Sequence, residues 1–158
     1  MCRTRKATPG HDEAGFSYLE TIVVFVLVGI VLTIGLPSYR RYTSNQRALI
    51  AARTLASDLR VAQQEAVTRR ADVTVSFVAA DADCGNGPSY AVADGAATLK
   101  RYCLPQDVTW ASSPSPLAWD PTGTPGAGAT LTVRSGLTGR THNVWVAAQT
   151  GAITDDTR

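Results

Sequence analysis

Residues 15–36, GFSYLETIVVFVLVGIVLTIGL, decide the architecture of this 158-residue chain. Residues 16–36 form an almost continuous apolar run, and about 20 such residues span a bilayer as a helix. We therefore predict a transmembrane helix at 16–36. Glu20 lies inside the run, where a charged side chain costs roughly 2.5–3.5 kcal/mol on insertion scales. A carboxylate retained at that cost indicates a functional role.

The residues before the run differ sharply from it in composition. Residues 1–15, MCRTRKATPGHDEAG, are polar and show no hydrophobic periodicity. The run itself is longer than the apolar core of a secretory signal, which is typically about 7–15 residues, and no small-residue cleavage motif follows it. We expect the run to remain as an anchor. Residues 1–15 are either a disordered cytoplasmic stub or a leader removed after Gly15.

Gly15, Phe16, Ser17 and Glu20, followed by the unbroken apolar run, resemble the class III signal of type IV prepilins and type II secretion pseudopilins. The resemblance implies a leader at 1–15, cleaved by prepilin peptidase between Gly15 and Phe16, with Phe16 methylated. It implies that Glu20 neutralises the amino-terminal charge of a neighbouring subunit during filament assembly. Pro37 also matches this family. Since proline removes a helical hydrogen bond, Pro37 is a predicted kink.

The flanking charges bear on membrane topology. Basic residues favour the cytoplasmic side of a membrane span. Arg3, Arg5 and Lys6 therefore place the amino terminus in the cytoplasm, but the arginines at 40, 41 and 47 on the other flank oppose that orientation. The resemblance implies a cytoplasmic amino terminus, a single inner-membrane span and a periplasmic domain at 37–158.

The next segment, 38–70, has helical periodicity. Apolar residues recur there at three- and four-residue steps, at Ala48, Ala52, Leu55, Leu59, Ala62 and Ala66. The polar residues between them, Asp58 and Gln63 included, predict a solvated face. The Ala-rich stripe predicts a helix that packs closely against another element.

Beyond 70 the period becomes alternating, which is typical of strands. Strands are predicted at 73–78, 89–93, 98–103, 107–111, 129–134 and 143–148, separated by turn-rich segments at 83–88, 112–116 and 120–128. The glycine-rich part of the last turn segment is predicted to be a hairpin loop. A helix followed by strands predicts an α+β domain, with an antiparallel β-sheet at 73–154 packed on the long helix. The resemblance implies the same architecture, the type IV pilin-like fold.

Two cysteines lie in the predicted domain. Cys84 and Cys103 flank the second and third predicted strands, and Cys2 would be lost with the leader. An even number of cysteines in a domain outside the cytoplasm favours a disulfide, here between these two. Two free thiols are the alternative.

Within the pilin class, residues 55–77, LASDLRVAQQEAVTRRADVTVSF, resemble the GspH/FimT family. The resemblance implies a minor pilin or pseudopilin, without catalytic activity or cofactor, whose partners are other pilins or pseudopilins. The family's terminal pattern also fits 144–153, except that Ala152 stands where the family has arginine. The residues that carry the helical match are Leu59, Glu65, Ala66, Arg69 and Arg70.

Two other classes of function are weighed against this one. His142 is the single histidine outside the leader, and the sequence contains no paired Cys/His metal spacing and none of the common nucleophile or phosphate-binding motifs. A membrane-anchored periplasmic enzyme therefore lacks candidate residues. The alternative is a DNA-binding minor pilin for DNA uptake, supported by Arg134, Arg140 and Arg158. Such pilins use a basic Gly-Arg-x-Arg loop, but here Gly151-Ala152-Ile153-Thr154 is followed by two aspartates that would repel phosphate.

Overall fold

The computed structural model describes residues 17–95, 97–111 and 116–156. Gly15 and Phe16, the predicted processing site, lie outside the described residues. The chain divides between Ser38 and Tyr39 into an amino-terminal unit and a carboxy-terminal unit. The described residues form the α-helix α1 (Tyr18–Arg69) and the strands β1 (Val73–Asp81), β2 (Gly87–Asp94), β3 (Ala97–Cys103), β4 (Val108–Trp110), β5 (Leu117–Trp119), β6 (Ala129–Ser135), β7 (Thr141–Val146) and β8 (Ile153–Asp155).

The described part of the amino-terminal unit is the first part of α1. Every residue from 17 to 38 is exposed. The helix is long and apolar enough to cross a membrane, judged by length and composition. Pro37 lies inside α1. The kink at Pro37 stays a prediction.

The carboxy-terminal unit combines the second part of α1 with antiparallel strands, which confirms the predicted α+β class. The strands form two four-stranded sheets, in the orders β3-β2-β1-β5 and β4-β6-β7-β8, rather than one. The division arises because β1 pairs with β2 and β5, whereas β4 pairs with β6. The loop at 120–128 therefore connects strands of different sheets. Its glycine-rich part still folds back locally as predicted, since Trp119 and Pro125 form an isolated antiparallel bridge and the Gly126 amide donates to the Ala118 carbonyl at 3.1 Å.

The predicted apolar stripe of α1 forms the helical side of the core. Ala48, Ala52, Ala62 and Ala66 are completely buried. Small side chains allow the helix to approach the sheets closely. Larger strand side chains fill the other side of the core, among them Val73, Val75, Tyr90, Val108, Trp119, Leu131, Val133 and Val144.

The carboxyl end of α1 is fixed by a local motif. Arg70 adopts the left-handed conformation with φ of 53°. The Ala71 amide donates to the Ala66 carbonyl at 3.3 Å. This is the hydrogen bond of a Schellman motif, in which glycine usually occupies the left-handed position. The motif ends the helix and turns the chain into β1.

The predicted disulfide is present. Cys84 and Cys103 are bonded, with their Cα atoms 5.5 Å apart, a separation within the usual range. Cys84 ends a short 3-10 helix, Ala82–Cys84, and Cys103 ends β3. The bridge therefore ties the β1–β2 connection to the end of the edge strand β3.

Candidate assembly site

Glu20 lies in the first turn of α1 with its side chain exposed. The turn is closed by the Thr21 amide, which donates to the Ser17 carbonyl at 3.1 Å. A negative charge near a helix amino terminus is favoured by the helix dipole. Within the described ranges, Glu20 has no ion-pair partner. Its carboxyl group is thus available to a cation from outside this part of the chain.

The apolar surface around Glu20 is continuous. Phe25 is 71% exposed, and Leu19, Val31 and Ile34 are exposed to a similar degree. Monomeric proteins in water rarely present contiguous apolar patches larger than a few hundred Å². The segment therefore requires lipid or other apolar helices around it. Such an arrangement can anchor the chain and associate with like helices.

A second polar site lies inside the carboxy-terminal unit at Asp58. Asp58 is only 7% exposed. The prediction that it belongs to a solvated face is therefore wrong. The Tyr90 hydroxyl donates to Asp58 Oδ2, and Lys100 Nζ donates to Oδ1, both at 2.7 Å. These two donors on β2 and β3 stabilise the buried carboxylate. Burial, and then the hydrogen bond to Asp58, raise the pKa of Tyr90.

The helical spacing contained a signal for this burial. Asp58 follows Leu55 by three residues and precedes Ala62 by four, and it therefore lies on the apolar stripe. Its chemical type suggested solvent, but its position predicted the core. The donors on β2 and β3 could not be identified from the helix sequence alone.

The helix also holds a distant loop and the start of β8. Gln63 Nε2 donates to the Gly123 carbonyl at 2.8 Å, and Arg60 Nη2 donates to the Ile153 carbonyl at 3.1 Å. Gly151 has φ of 63°, and a Cβ there would lie 2.5 Å from Gln63 Nε2. Glycine is needed in this turn both for its backbone conformation and for the close approach of the helix. Gln63 is thus half-buried and structural rather than solvated.

Three residues of the enzyme and DNA-binding alternatives, Arg134, Arg140 and His142, lie on the β6–β7 hairpin. His142 lies on β7, and burial lowers its pKa, while the nearby Asp156 opposes that shift. The Asp156 amide donates to the Asn143 carbonyl at 3.0 Å, which places Asp156 beside β7. Arg134 lies on β6. Arg158 lies outside the described residues. In the described ranges, no group of three His, Cys, Asp or Glu residues could hold a metal ion.

Comparison with known proteins places this architecture in a family. The model of the family described as type II transport protein GspH matches residues 51–150, more than half of the chain. No curated protein matches the sequence.

Two crystal structures of the type IV minor pilin FimU from Pseudomonas aeruginosa, in space groups P21 and P65, share the fold. The first has a TM-score of 0.54 at 22% identity, covering 72% of this chain and 90% of FimU. The second has a TM-score of 0.50 at 22% identity, covering 67% and 90%. The matched family region includes most of the α1 segment that packs on the sheets, together with β1–β7. The chain belongs to the GspH family and has the type IV pilin-like fold.

Proposed function

We propose that this protein is a minor pilin or pseudopilin that serves as a structural subunit of a type IV pilus or of a type II secretion pseudopilus. In that role it supports filament initiation, and through it pilus biogenesis or protein secretion. The observation that carries the proposal is the exposed apolar helix with Glu20, joined in one chain to a domain of the GspH family. The family model is described as a type II transport protein, and the similar crystal structures are of a type IV minor pilin. The proposal therefore retains both machines.

The proposed maturation follows from the GFSYLE sequence at 15–20. Prepilin peptidase cleaves between Gly15 and Phe16, and Phe16 becomes the methylated amino terminus. Residues 16–36 span the inner membrane, with the amino terminus on the cytoplasmic side. Residues 37–158 lie in the periplasm until the subunit enters a filament with other pilins or pseudopilins.

Glu20 then acts in docking. Cleavage creates a positively charged amine at Phe16, and the apolar helices of a filament core exclude water around it. Opposite charges attract far more strongly in such a medium than in water. A buried charge without its partner is correspondingly penalised. Glu20 therefore favours the register in which it meets the Phe16 amine of an adjacent subunit.

Mass spectrometry of the protein recovered from its native membrane tests this proposal. The expected mature chain begins at Phe16 and carries a methyl group on its amino terminus. In a strain that lacks prepilin peptidase, the chain should instead retain Met1. Retention of Met1 in the strain that contains the peptidase would contradict the proposal.

A further inference from the structure

Four consecutive residues of α1 form a ring of exposed side chains at the start of the carboxy-terminal unit: Tyr39, Arg40, Arg41 and Tyr42. Successive helical residues are separated by about 100°, so the four side chains point around most of the helix. Tyr39 is 67% and Tyr42 61% exposed, and both arginines are exposed. We call these four residues the Tyr–Arg ring. Burial begins immediately afterwards, since Ser44 is completely buried.

The ring carries positive charge that the described protein does not neutralise. Arg47 pairs with Asp107 at 3.3 Å, and Arg69 pairs with Glu65 at 2.6 Å. Among the described residues, by contrast, Arg40 and Arg41 have no ion-pair partner.

The sequence around the ring supplies no compensating charge either. It contains no Asp or Glu between Glu20 and Asp58. A pair of exposed guanidinium groups in such a stretch is complementary to an anionic surface.

The position of the Tyr–Arg ring in the chain indicates that this anionic surface is the headgroup region of a membrane. Tyr39 follows Leu36, the last residue of the apolar run, by three residues. Tyrosine is enriched at membrane–water interfaces, where its ring lies at the depth of the headgroups. Guanidinium groups bind phosphate oxygens through paired hydrogen bonds. Exposure on all sides of the helix suits a segment that headgroups surround.

We propose that the Tyr–Arg ring binds the phosphates of anionic phospholipids in the leaflet next to the carboxy-terminal unit. This inference rests on the membrane insertion proposed above and adds a lipid class to it. It also accounts for the two arginines on the flank of the apolar run where the charge rule for membrane spans disfavours them. Lipid contact there holds the subunit at a fixed depth before assembly.

Native mass spectrometry of the full chain in dodecyl maltoside micelles tests whether the Tyr–Arg ring binds anionic phospholipids. The protein is titrated with phosphatidylglycerol or with phosphatidylcholine of the same acyl chains, and bound lipid is counted. We expect the wild type to prefer phosphatidylglycerol. R40Q/R41Q should weaken that preference roughly 25-fold, since each arginine near an anionic surface contributes about a factor of five. R134Q/R140Q removes the same charge elsewhere in the carboxy-terminal unit and should keep the preference.

Three results would overturn the inference. They are equal binding of both lipids by the wild type, an unchanged preference in R40Q/R41Q, and displacement of the lipid by millimolar inorganic phosphate, which would indicate a general anion site. Flotation with phosphatidylcholine vesicles reports membrane insertion separately. A protein that floats but shows no lipid preference contradicts only the proposed lipid binding by the Tyr–Arg ring. A protein that does not float contradicts the proposed anchoring as well.

Discussion

The two parts of α1 differ in what surrounds them, although both have helical structure. Residues 18–38 expose every side chain, including the aromatic and aliphatic ones, whereas residues 44–66 bury one complete face against strands of the same chain. The second part therefore obtains its stability from its own fold. The first part has to obtain it from lipid or from other subunits. With the proposed function, folding and assembly are separated along a single helix.

Loss of Asp58 should produce the largest change in the stability of the second part. Asp58→Ala leaves the buried Tyr90 hydroxyl without its acceptor, and a buried unsatisfied group costs about 1–3 kcal/mol. The ion pair with Lys100 adds little because that side chain is half exposed. We expect the free energy of unfolding to fall by about 2–3 kcal/mol.

Urea unfolding of the full chain in detergent, followed by tryptophan fluorescence, measures this loss. All three tryptophans lie in the carboxy-terminal unit, so the signal reports that unit. Asp83→Ala is the matched control, because its carboxylate is largely exposed, and it should cost less than about 1 kcal/mol. An unchanged midpoint for Asp58→Ala would show that the second part of α1 does not depend on this polar contact.

Acid should weaken the carboxy-terminal unit through the loop after β5. Asp120 Oδ1 accepts hydrogen bonds from Thr122 Oγ1 at 2.6 Å and from the Thr124 amide at 3.0 Å. The Thr122 hydroxyl, and then the Thr124 amide, lower the pKa of Asp120 to about 2. The ordinary value is about 3.9. The contribution to stability is therefore complete above about pH 4 and is lost as the pH falls through about 2.

Unfolding midpoints measured between pH 4 and pH 2 check this dependence. Asp120→Asn removes the titrating group, and its midpoint should fall less steeply over this interval than that of the wild type. Thr122→Val retains the carboxylate but removes its principal donor, and it should reduce the slope only in part. Equal slopes in all three proteins would rule out this loop as the source of acid sensitivity.

The end of α1 offers the smallest effect. Arg70 occupies a left-handed position that costs a residue with a Cβ roughly 1–2 kcal/mol. Arg70→Gly removes that strain but gains entropy in the unfolded chain, so stability should rise by about 0.5–1 kcal/mol. Arg69→Gly is the matched control one residue earlier. It should destabilise, because glycine has a low helix propensity at a position with ordinary helical backbone, and the loss of the exposed ion pairs with Glu65 and Asp94 adds slightly to this. The same urea titration shows whether each variant raises or lowers the free energy of unfolding.

The sequence predicted the periodic parts of this fold. The apolar stripe of α1, the longer strands and the Cys84–Cys103 pair all follow from local patterns. β5 and β8, three residues each, were not predicted. The equally short β4 was predicted because alternation in the sequence extends over 107–111, beyond its three paired residues. The division into two sheets was also missed, since it depends on which distant strands pair.

The candidate site divides in a similar way. Glu20 was identified because a carboxylate in an apolar run is conspicuous without any tertiary contact. Asp58 was misplaced because its charge suggested solvent although its spacing put it on the apolar stripe. Its donors, Tyr90 and Lys100, follow it in sequence by 32 and 42 residues. Local patterns predict the exposed half of α1 and the apolar stripe of the buried half, whereas the polar contacts of Asp58 require knowledge of its partners.

Incorporation of Glu20→Ala into filaments tests the central claim most directly. The variant should insert into the membrane and retain the urea midpoint of the wild type, because Glu20 makes no ion pair within the described ranges. Glu65→Ala, which removes a carboxylate from the second part of the same helix, is the control and should assemble. We predict that Glu20→Ala is absent from purified filaments while its amount in the membrane is unchanged. Wild-type amounts of Glu20→Ala in those filaments would contradict it.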